Sequence, residues 1–310
     1  MTPAITLRMG ARDWAILLFL SVLWGGSFFF IDVAVESVAP LTLVLVRVTI
    51  AAAILLALLK ATGRPLPLAR ATIGPFIVLA LVNNAIPFTL FAWGQQHIAS
   101  GLASILNATT PLWAVLVAHF FTADEKATPL KVLGVGVGFA GVAVMIGGDL
   151  LLDITGANLL AQLACLGATL CYALAGVHAR RFRAMGVPPM TVSAGQLAAC
   201  ALVMLPLVLA FEPPWSAAAP SSRAMLSILA LAIFSTALAY ILYFRLIDTA
   251  GATNAILVTF LIPATAILLG ATLLGESLAP RHFAGLALIV LGLAAIDGRV
   301  FARRRAPTPA

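Results

Sequence analysis

The feature that most constrains this chain is a series of ten long apolar stretches, separated by short segments that hold most of its charged residues. A helix that spans the hydrocarbon core of a bilayer needs about 17 to 25 mainly apolar residues, and only the last stretch is shorter. The predicted spans are Trp14–Ala34, Leu41–Leu59, Ile73–Trp93, Ser100–Phe121, Leu130–Gly147, Asn158–His178, Met190–Phe211, Ala224–Phe244, Ala252–Leu274 and His282–Ile296. We therefore predict an all-α, polytopic membrane protein with ten transmembrane helices.

Composition supports a membrane location and argues against a soluble protein. The chain is 62% hydrophobic and 9% charged, whereas soluble domains carry about 25% charged residues. Its net charge of +7 resides mainly in the short segments between spans, so we predict contact with the lipid bilayer and no nucleic-acid partner. Cys165, Cys171 and Cys200 lie inside apolar stretches without the spacing of a metal site, so no metal or cofactor is predicted.

The distribution of basic residues predicts the orientation of the spans. With the N-terminus inside, fifteen of the eighteen lysines and arginines fall in inner segments and two, Arg223 and Arg281, fall in outer ones. Arg47 is the remaining basic residue and lies within the second span. Because basic residues are concentrated on the cytoplasmic side of membrane proteins, both termini are predicted to be cytoplasmic.

An internal repeat relates the two halves of the chain at an offset of 150 to 152 residues. The matched pairs are Gly101 with Gly251, Pro111 with Pro263, Glu125 with Glu276, Pro129 with Pro280, Gly134 with Gly285 and Gly141 with Gly292. Further upstream the match is weaker, and it places Gln196 opposite Arg47. Each half contains five spans, so the second half must enter the membrane in the opposite sense to the first.

This repeat predicts the domain organisation. Residues 1–148 would form a first five-helix repeat, residues 149–298 a second and inverted one, and residues 299–310 a basic cytoplasmic tail. Inverted repeats create two related gates around a site near the middle of the membrane, which is the construction of transporters that work by alternating access.

Several motifs resemble the drug/metabolite transporter superfamily, in its EamA-like branch of ten helices. These are the residues 24–29 (Trp-Gly-Gly-Ser-Phe-Phe), Arg47, Pro111, and Gly275-Glu276 followed by Gly285 and Gly292. Within that branch the chain looks most like aromatic amino-acid exporters of the YddG type. The resemblance implies a central cavity between helices 1, 3, 4, 6, 8 and 9, with helices 5 and 10 at the periphery. The first glutamate signature reads Ala123-Asp124-Glu125 and lacks the glycine of the second.

Polar and aromatic residues inside the spans are candidates for the cavity wall, since polar groups in the bilayer face either a cavity or another helix. The predicted substrate-binding residues are Trp24, Phe28, Asn84, Asn107, Tyr172, Tyr240 and Tyr243. Aromatic rings with a few amide and hydroxyl groups suit a solute with an apolar side chain and a polar head. The alternative is that these residues join neighbouring helices.

Prolines and charges within or beside the spans are predicted to have conformational or structural roles. Pro87, Pro111 and Pro263 are candidate hinges. Arg47 needs a partner inside the membrane, for which Glu36 and a substrate carboxylate are the alternatives. Glu125 and Glu276 lie at helix ends, where exposed helix caps or basic partners such as Lys131 and Arg281 would keep them charged, and both are predicted to be structural, as is Arg47.

These features predict a multi-pass transporter of the bacterial inner membrane that exports small metabolites, in particular aromatic or bulky apolar amino acids. The spans carry no carboxylate near their centres, which favours facilitated diffusion over proton antiport. Catalytic motifs of hydrolases and nucleotide-binding enzymes are absent from the sequence, so no enzymatic activity is predicted. The alternatives are a multidrug or other metabolite exporter of the same fold, and a receptor or scaffold that transports nothing.

Overall fold

The computed structural model describes residues 9–67, 69–123, 125–152, 156–213, 219–255 and 257–297. Within these ranges the regular secondary structure is entirely helical, as expected where a bilayer cannot hydrogen-bond to the backbone. Ten helices are α1 Ala11–Val35, α2 Pro40–Ala61, α3 Arg70–Gly94, α4 Ser100–Phe121, α5 Pro129–Ile146, α6 Ala157–Ala184, α7 Pro189–Phe211, α8 Ser222–Ala250, α9 Val258–Leu274 and α10 Pro280–Ile296.

The helix count confirms the predicted fold class. Helices α1 to α8 are long and apolar enough to cross a membrane, and α9 and α10 are shorter apolar helices. One boundary differs from the prediction, because Ala252–Ala255 forms a separate helical turn before α9 begins at Val258. Large apolar side chains on the outer surface, such as Leu202 at 74% exposure, face the position of the lipid.

The main helix contacts are two-fold symmetric: each of them recurs when every helix is replaced by its counterpart in the other half. Helix α1 packs on α9 and on α8, and the corresponding α6 packs on α4 and on α3. Helix α2 packs on α7, and α5 packs on α10. In both of these contacts a helix meets its repeat counterpart in the other half. This arrangement agrees with two five-helix repeats of opposite sense, while the boundaries at residues 148 and 298 stay predictions.

The contact between α5 and α10 is formed by the glycines of the repeat. A β-carbon on Gly134 would lie 2.6 Å from the carbonyl oxygen of Gly292, and one on Gly141 would lie 2.6 Å from that of Gly285. Only glycine permits such close approach of two helix backbones. These glycines therefore account for the close packing of α5 on α10, and none of the described residues of these two helices lines the central cavity.

Helices α3 and α8 are each interrupted by a π-helical turn at corresponding positions. The turns span Leu81–Ala85 in α3 and Ile233–Leu238 in α8, and a third, Gly270–Leu274, ends α9. A π turn widens the helix locally, changes the direction of the side chains that follow and is frequent at functional sites. The first two turns place polar side chains at the centre of the protein.

Candidate functional site

A cavity of about 450 Å³ lies at the centre of the helix bundle, within the size range of small-molecule sites. The predicted helices α1, α3, α4, α6, α8 and α9 all contribute to its wall, and α2 and α7 contribute as well. A second cavity of about 170 Å³ shares Pro111 and Ala114 with the first and continues along α4 to Glu125. The two cavities therefore lead toward the end of α4, on the predicted cytoplasmic side.

Aromatic rings form one wall of the cavity. The rings of Trp24 and Tyr243 are 5.1 Å apart between centroids, and those of Phe28 and Phe91 are 5.6 Å apart in an edge-to-face arrangement. Phe91 also stacks against Tyr172, with 6.2 Å between centroids. Such rings offer apolar surface to a flat or bulky side chain and keep the tyrosine hydroxyls available for hydrogen bonds.

Amides and hydroxyls line the side of the cavity next to α2 and α7. The Nδ2 group of Asn83 donates a hydrogen bond of 3.1 Å to Oε1 of Gln196. Ser235 and Thr236 enter the wall from the π turn of α8, and the buried Oγ of Ser235 has no hydrogen-bond partner among the described residues. This part of the cavity can bind a polar head group.

Arg47 places a positive charge in the same wall. Its side chain is 6% exposed, its Nε group donates a hydrogen bond of 2.9 Å to Oγ1 of Thr236, and its Cζ lies 3.8 Å from the centroid of Phe88. The expected ion pair with Glu36 does not form between these two described residues. The expectation was wrong because Arg47 points inward from α2 into the cavity, whereas Glu36 follows the end of α1.

The structure brings most of the sequence-predicted residues together. Those that line the cavity are Trp24, Phe28, Asn107, Tyr172, Tyr240 and Tyr243, together with the predicted hinge residue Pro111. Pro87 lies in the first turn after the π turn of α3, and Pro263 is buried inside α9. These two prolines lie outside the cavity wall, and the hinge roles stay predictions.

Asn84 differs from its predicted position. It is fully buried behind the wall, where its Nδ2 group donates a hydrogen bond of 3.4 Å to the hydroxyl of Tyr240. The preceding residue, Asn83, lines the cavity instead. The π turn accounts for the difference, because it changes the helical phase that a regular α-helix would give to the two asparagines.

Several wall residues were not among the predicted site residues: Asn83, Phe88, Phe91, Ser193, Gln196, Ser235 and Thr259. A signal for Gln196 was present in the sequence, since the repeat places it opposite Arg47. The phenylalanines gave no signal, because apolar residues in a membrane span face lipid, protein or cavity without a change of residue type.

Glu276 binds the start of α4. Its carboxylate accepts hydrogen bonds of 2.7 Å from the backbone N–H of Ser100 and 3.1 Å from that of Gly101. Gly275 has a φ of +69°, so the turn that aims Glu276 requires glycine. Exposed N–H groups at a helix start attract a carboxylate in their own right, and a pair between Glu276 and Arg281 stays a prediction.

The repeat counterpart Glu125 has a different partner. Its carboxylate forms an ion pair with Arg180 at the end of α6, and among the described residues this basic partner takes the place of the Lys131 named from the sequence. Arg180 reaches it because α4 and α6 pack together and end on the same side. The carboxylate of a further residue, Glu212, accepts hydrogen bonds from the backbone of Leu41 and Thr42 at the start of α2.

Comparison with known proteins identifies the family. The model of the EamA-like transporter family matches residues 13–147 and again residues 159–296. The chain belongs to this family. Members of the EamA-like family are transporters, so this protein belongs to a class defined by transport and not by catalysis.

Relatives of this EamA-like protein are described as transporters. The Escherichia coli (strain K12) uncharacterized inner membrane transporter YedA is 29% identical over 88% of this chain and 87% of its own length. A probable terminal-alkyne amino-acid exporter of Streptantibioticus cattleyicolor is 26% identical over 98% of this chain and 99% of its own length. These matches and the apolar helices confirm the predicted multi-pass location in a bacterial inner membrane.

A solved crystal structure has the same fold as this EamA-like chain. It aligns with 96% of this chain and 99% of its own length, with a TM-score of 0.67 and 21% sequence identity. At that identity the similarity concerns the fold alone.

Proposed function

We propose that this EamA-like transporter exports zwitterionic amino acids with aromatic or bulky apolar side chains. The observation that carries the proposal is the composition of the central cavity, which joins an aromatic wall to amide, hydroxyl and guanidinium groups. Its volume of about 450 Å³ is sufficient for a single amino acid. Contacts with aromatic rings contribute about 0.5 to 1.5 kcal/mol each beyond area burial, so broad specificity is expected.

The charges of the cavity favour an amino acid over a cationic drug. None of its described lining residues is acidic, and Arg47 contributes a positive charge. A permanent cation would enter this site without a compensating anion, at a high desolvation cost. The carboxylate of an amino acid has a partner there, and its ammonium group can donate to the oxygens of Asn107 and Tyr240. The related exporter from Streptantibioticus cattleyicolor also supports this substrate class.

Alternating access is the proposed mechanism. Glu276 joins the end of α9 to the start of α4 on the predicted outer side, while the second cavity leads along α4 toward the predicted cytoplasmic side. The inverted repeat relates Glu125 to Glu276. We propose that in the opposite state Glu125 leaves Arg180 and binds the start of the helical segment after Gly251, which would close the cytoplasmic side.

Flux into proteoliposomes that contain only this protein tests the function. We expect uptake of labelled L-phenylalanine, L-tyrosine and L-leucine, and little uptake of tetraphenylphosphonium. Ala114→Phe should block flux because Ala114 lines both cavities. Leu202→Phe is the matched control, because it adds a ring on the lipid-facing surface.

The same assay separates the alternatives. Transport of quaternary cations without amino acids would favour a multidrug exporter of this fold. Equal, background-level flux in wild-type and Ala114→Phe vesicles for every solute would favour a receptor or scaffold and would contradict the proposal.

A further inference from the structure

We infer that Arg47 binds the carboxylate of the transported solute and thereby sets the orientation in which the solute lies in the cavity. This inference rests on the proposed function and names the residue that gives it specificity. Of the two partners that the sequence leaves open for Arg47, it selects the substrate carboxylate.

The guanidinium of Arg47 has fewer partners inside the protein than a buried charge requires. A guanidinium carries five N–H donors, and the hydrogen bond from Nε to Thr236 uses one of them. In the part of the chain that the structure describes, the terminal nitrogens Nη1 and Nη2 form neither a hydrogen bond nor an ion pair. They belong to a side chain that lines the cavity, so a ligand can reach them.

No described acidic group neutralises Arg47. The groups that act on it electrostatically are Tyr172, Tyr240 and Cys200. Asp32, on the same helix as the cavity residue Ile31, interacts with Glu36, Glu276 and Arg223 at the predicted outer end of α1. Because a charge inside a membrane protein is costly unless it is paired, an anionic ligand is the partner that this site lacks.

The surroundings of Arg47 hold it in position for a planar anion. Thr236 donates its own hydroxyl proton to the carbonyl of Leu231, so its oxygen is oriented to accept from Nε. Phe88 packs against one face of the guanidinium. With Nε and one face occupied, the two terminal NH2 groups remain for a bidentate contact, which is the geometry in which arginine binds carboxylates.

The cavity wall then defines where the rest of the solute lies. Phe88 and Tyr240 pack with the apolar cluster around α2 and α7, on the side of Arg47. Trp24, Phe28 and Phe91 pack with the other cluster, around α1, α4 and α9. A solute whose carboxylate binds Arg47 therefore directs its side chain toward the aromatic wall.

A binding experiment on purified protein tests the inference with L-phenylalanine and L-phenylalaninamide, which differ in the carboxylate. We expect the wild type to bind L-phenylalanine about 10- to 100-fold more tightly than the amide, the effect of a charge-assisted contact. Arg47→Gln should lose this preference by weakening L-phenylalanine binding alone. Arg64→Gln, which removes an exposed charge outside the cavity, should keep it. Unchanged discrimination in Arg47→Gln would overturn the inference.

Thr236→Val provides a second test that leaves the charge in place, for the case in which Arg47→Gln does not fold. It removes the hydrogen bond that orients Nε, so L-phenylalanine binding should weaken several-fold while amide binding is unchanged. Equal weakening of both ligands would indicate a general packing effect and would also overturn the inference.

Failure of the proposed function is distinguishable from failure of this inference. Transport of phenylacetate without any amino acid, still dependent on Arg47, would support the anion site and reject the amino-acid assignment. Transport of L-phenylalanine and L-phenylalaninamide at equal rates would support the amino-acid assignment and reject the role of Arg47.

Discussion

Glu276 accepts a hydrogen bond of 2.7 Å from the backbone N–H of Ser100, across 176 residues of sequence. The contact joins the glutamate signature of the second repeat to the first turn of a helix in the first repeat. It lies at the end of α4 that is opposite to the second cavity. This relationship explains why the glutamate follows a glycine, since the left-handed turn at Gly275 aims the carboxylate at α4.

Removal of this carboxylate should open the predicted outer side. Loss of a helix cap costs about 0.5 to 2 kcal/mol, and one to two kcal/mol changes a population ratio roughly 5- to 30-fold. In Glu276→Ala, a cysteine placed at Ile31, in the cavity wall near the outer end of α1, should react faster with an impermeant maleimide added outside. Glu276→Gln, which keeps one carbonyl oxygen, should show a smaller change.

Glu212→Ala is the matched control for this experiment. Glu212 caps α2 with the same kind of backbone contacts. It does so between α7 and α2, which are counterparts of each other in the two repeats. Its removal should lower thermal stability and leave the labelling rate at Ile31→Cys unchanged. Equal acceleration in both variants would show that the Glu276 contact has no specific gating role.

The orientation of the chain predicts which loops are accessible from outside the cell. Ala157 and Ala69 are both exposed, in segments predicted to lie on opposite sides of the membrane. In a background without the three native cysteines, Ala157→Cys should react with an impermeant maleimide in intact cells, whereas Ala69→Cys should react only after lysis. The reverse labelling pattern would contradict the predicted orientation and would assign the Glu276 contact to the cytoplasmic side and the Glu125 contact to the outer side.

Tyr172 should contribute to the preference for aromatic substrates. Its ring stacks with Phe91 in the cavity wall, so Tyr172→Ala should raise the KM for L-phenylalanine roughly two- to tenfold with normal expression. Tyr172→Phe keeps the ring and should stay close to wild type. A wild-type KM for Tyr172→Ala, measured by flux into proteoliposomes, would remove Tyr172 from the site.

Transport should not require a proton gradient. None of the described residues in the cavity wall is acidic, so the wall lacks the side chain that commonly carries a proton through a transporter. Purified protein should equilibrate L-phenylalanine without a pH gradient, and collapse of an imposed gradient should leave the initial rate unchanged. Accumulation that depends on the gradient would instead indicate coupled antiport.

The α5–α10 contact should tolerate no side chain larger than glycine. In Gly141→Leu the added atoms would meet the backbone of α10, and overpacking typically costs about 1 to 3 kcal/mol. Gly136→Leu is the matched control on the same helix, because its β-carbon would meet no atom within 4 Å. Thermal unfolding in detergent should show a lower transition temperature for Gly141→Leu alone, and similar values would contradict the packing role.

The arrangement of helices could be predicted from the sequence because apolar length and charge placement respond directly to the bilayer. The third span was predicted as Ile73–Trp93 and is observed as Arg70–Gly94. Glycines recur at matched positions in both halves, as is typical of closely packed helices, and the structure shows that they join α5 to α10.

The site was predictable only in part, because its details depend on contacts between distant residues. The choice between Asn83 and Asn84 is made by a π turn, which no regular helical periodicity indicates. Arg47 finds Thr236 at a separation of 189 residues. The partner of Glu276 is backbone N–H, which every residue type except proline offers and which therefore leaves no trace in the sequence.

The weaker, upstream part of the sequence repeat aligns Gln196 with Arg47, and both residues line the cavity. Were both positions identical, charge in this wall would not distinguish the two opposite directions in which a small solute could lie. The single charge removes that degeneracy. The solute would keep the same orientation through the whole transport cycle. The helices would then rearrange around a solute that does not need to rotate.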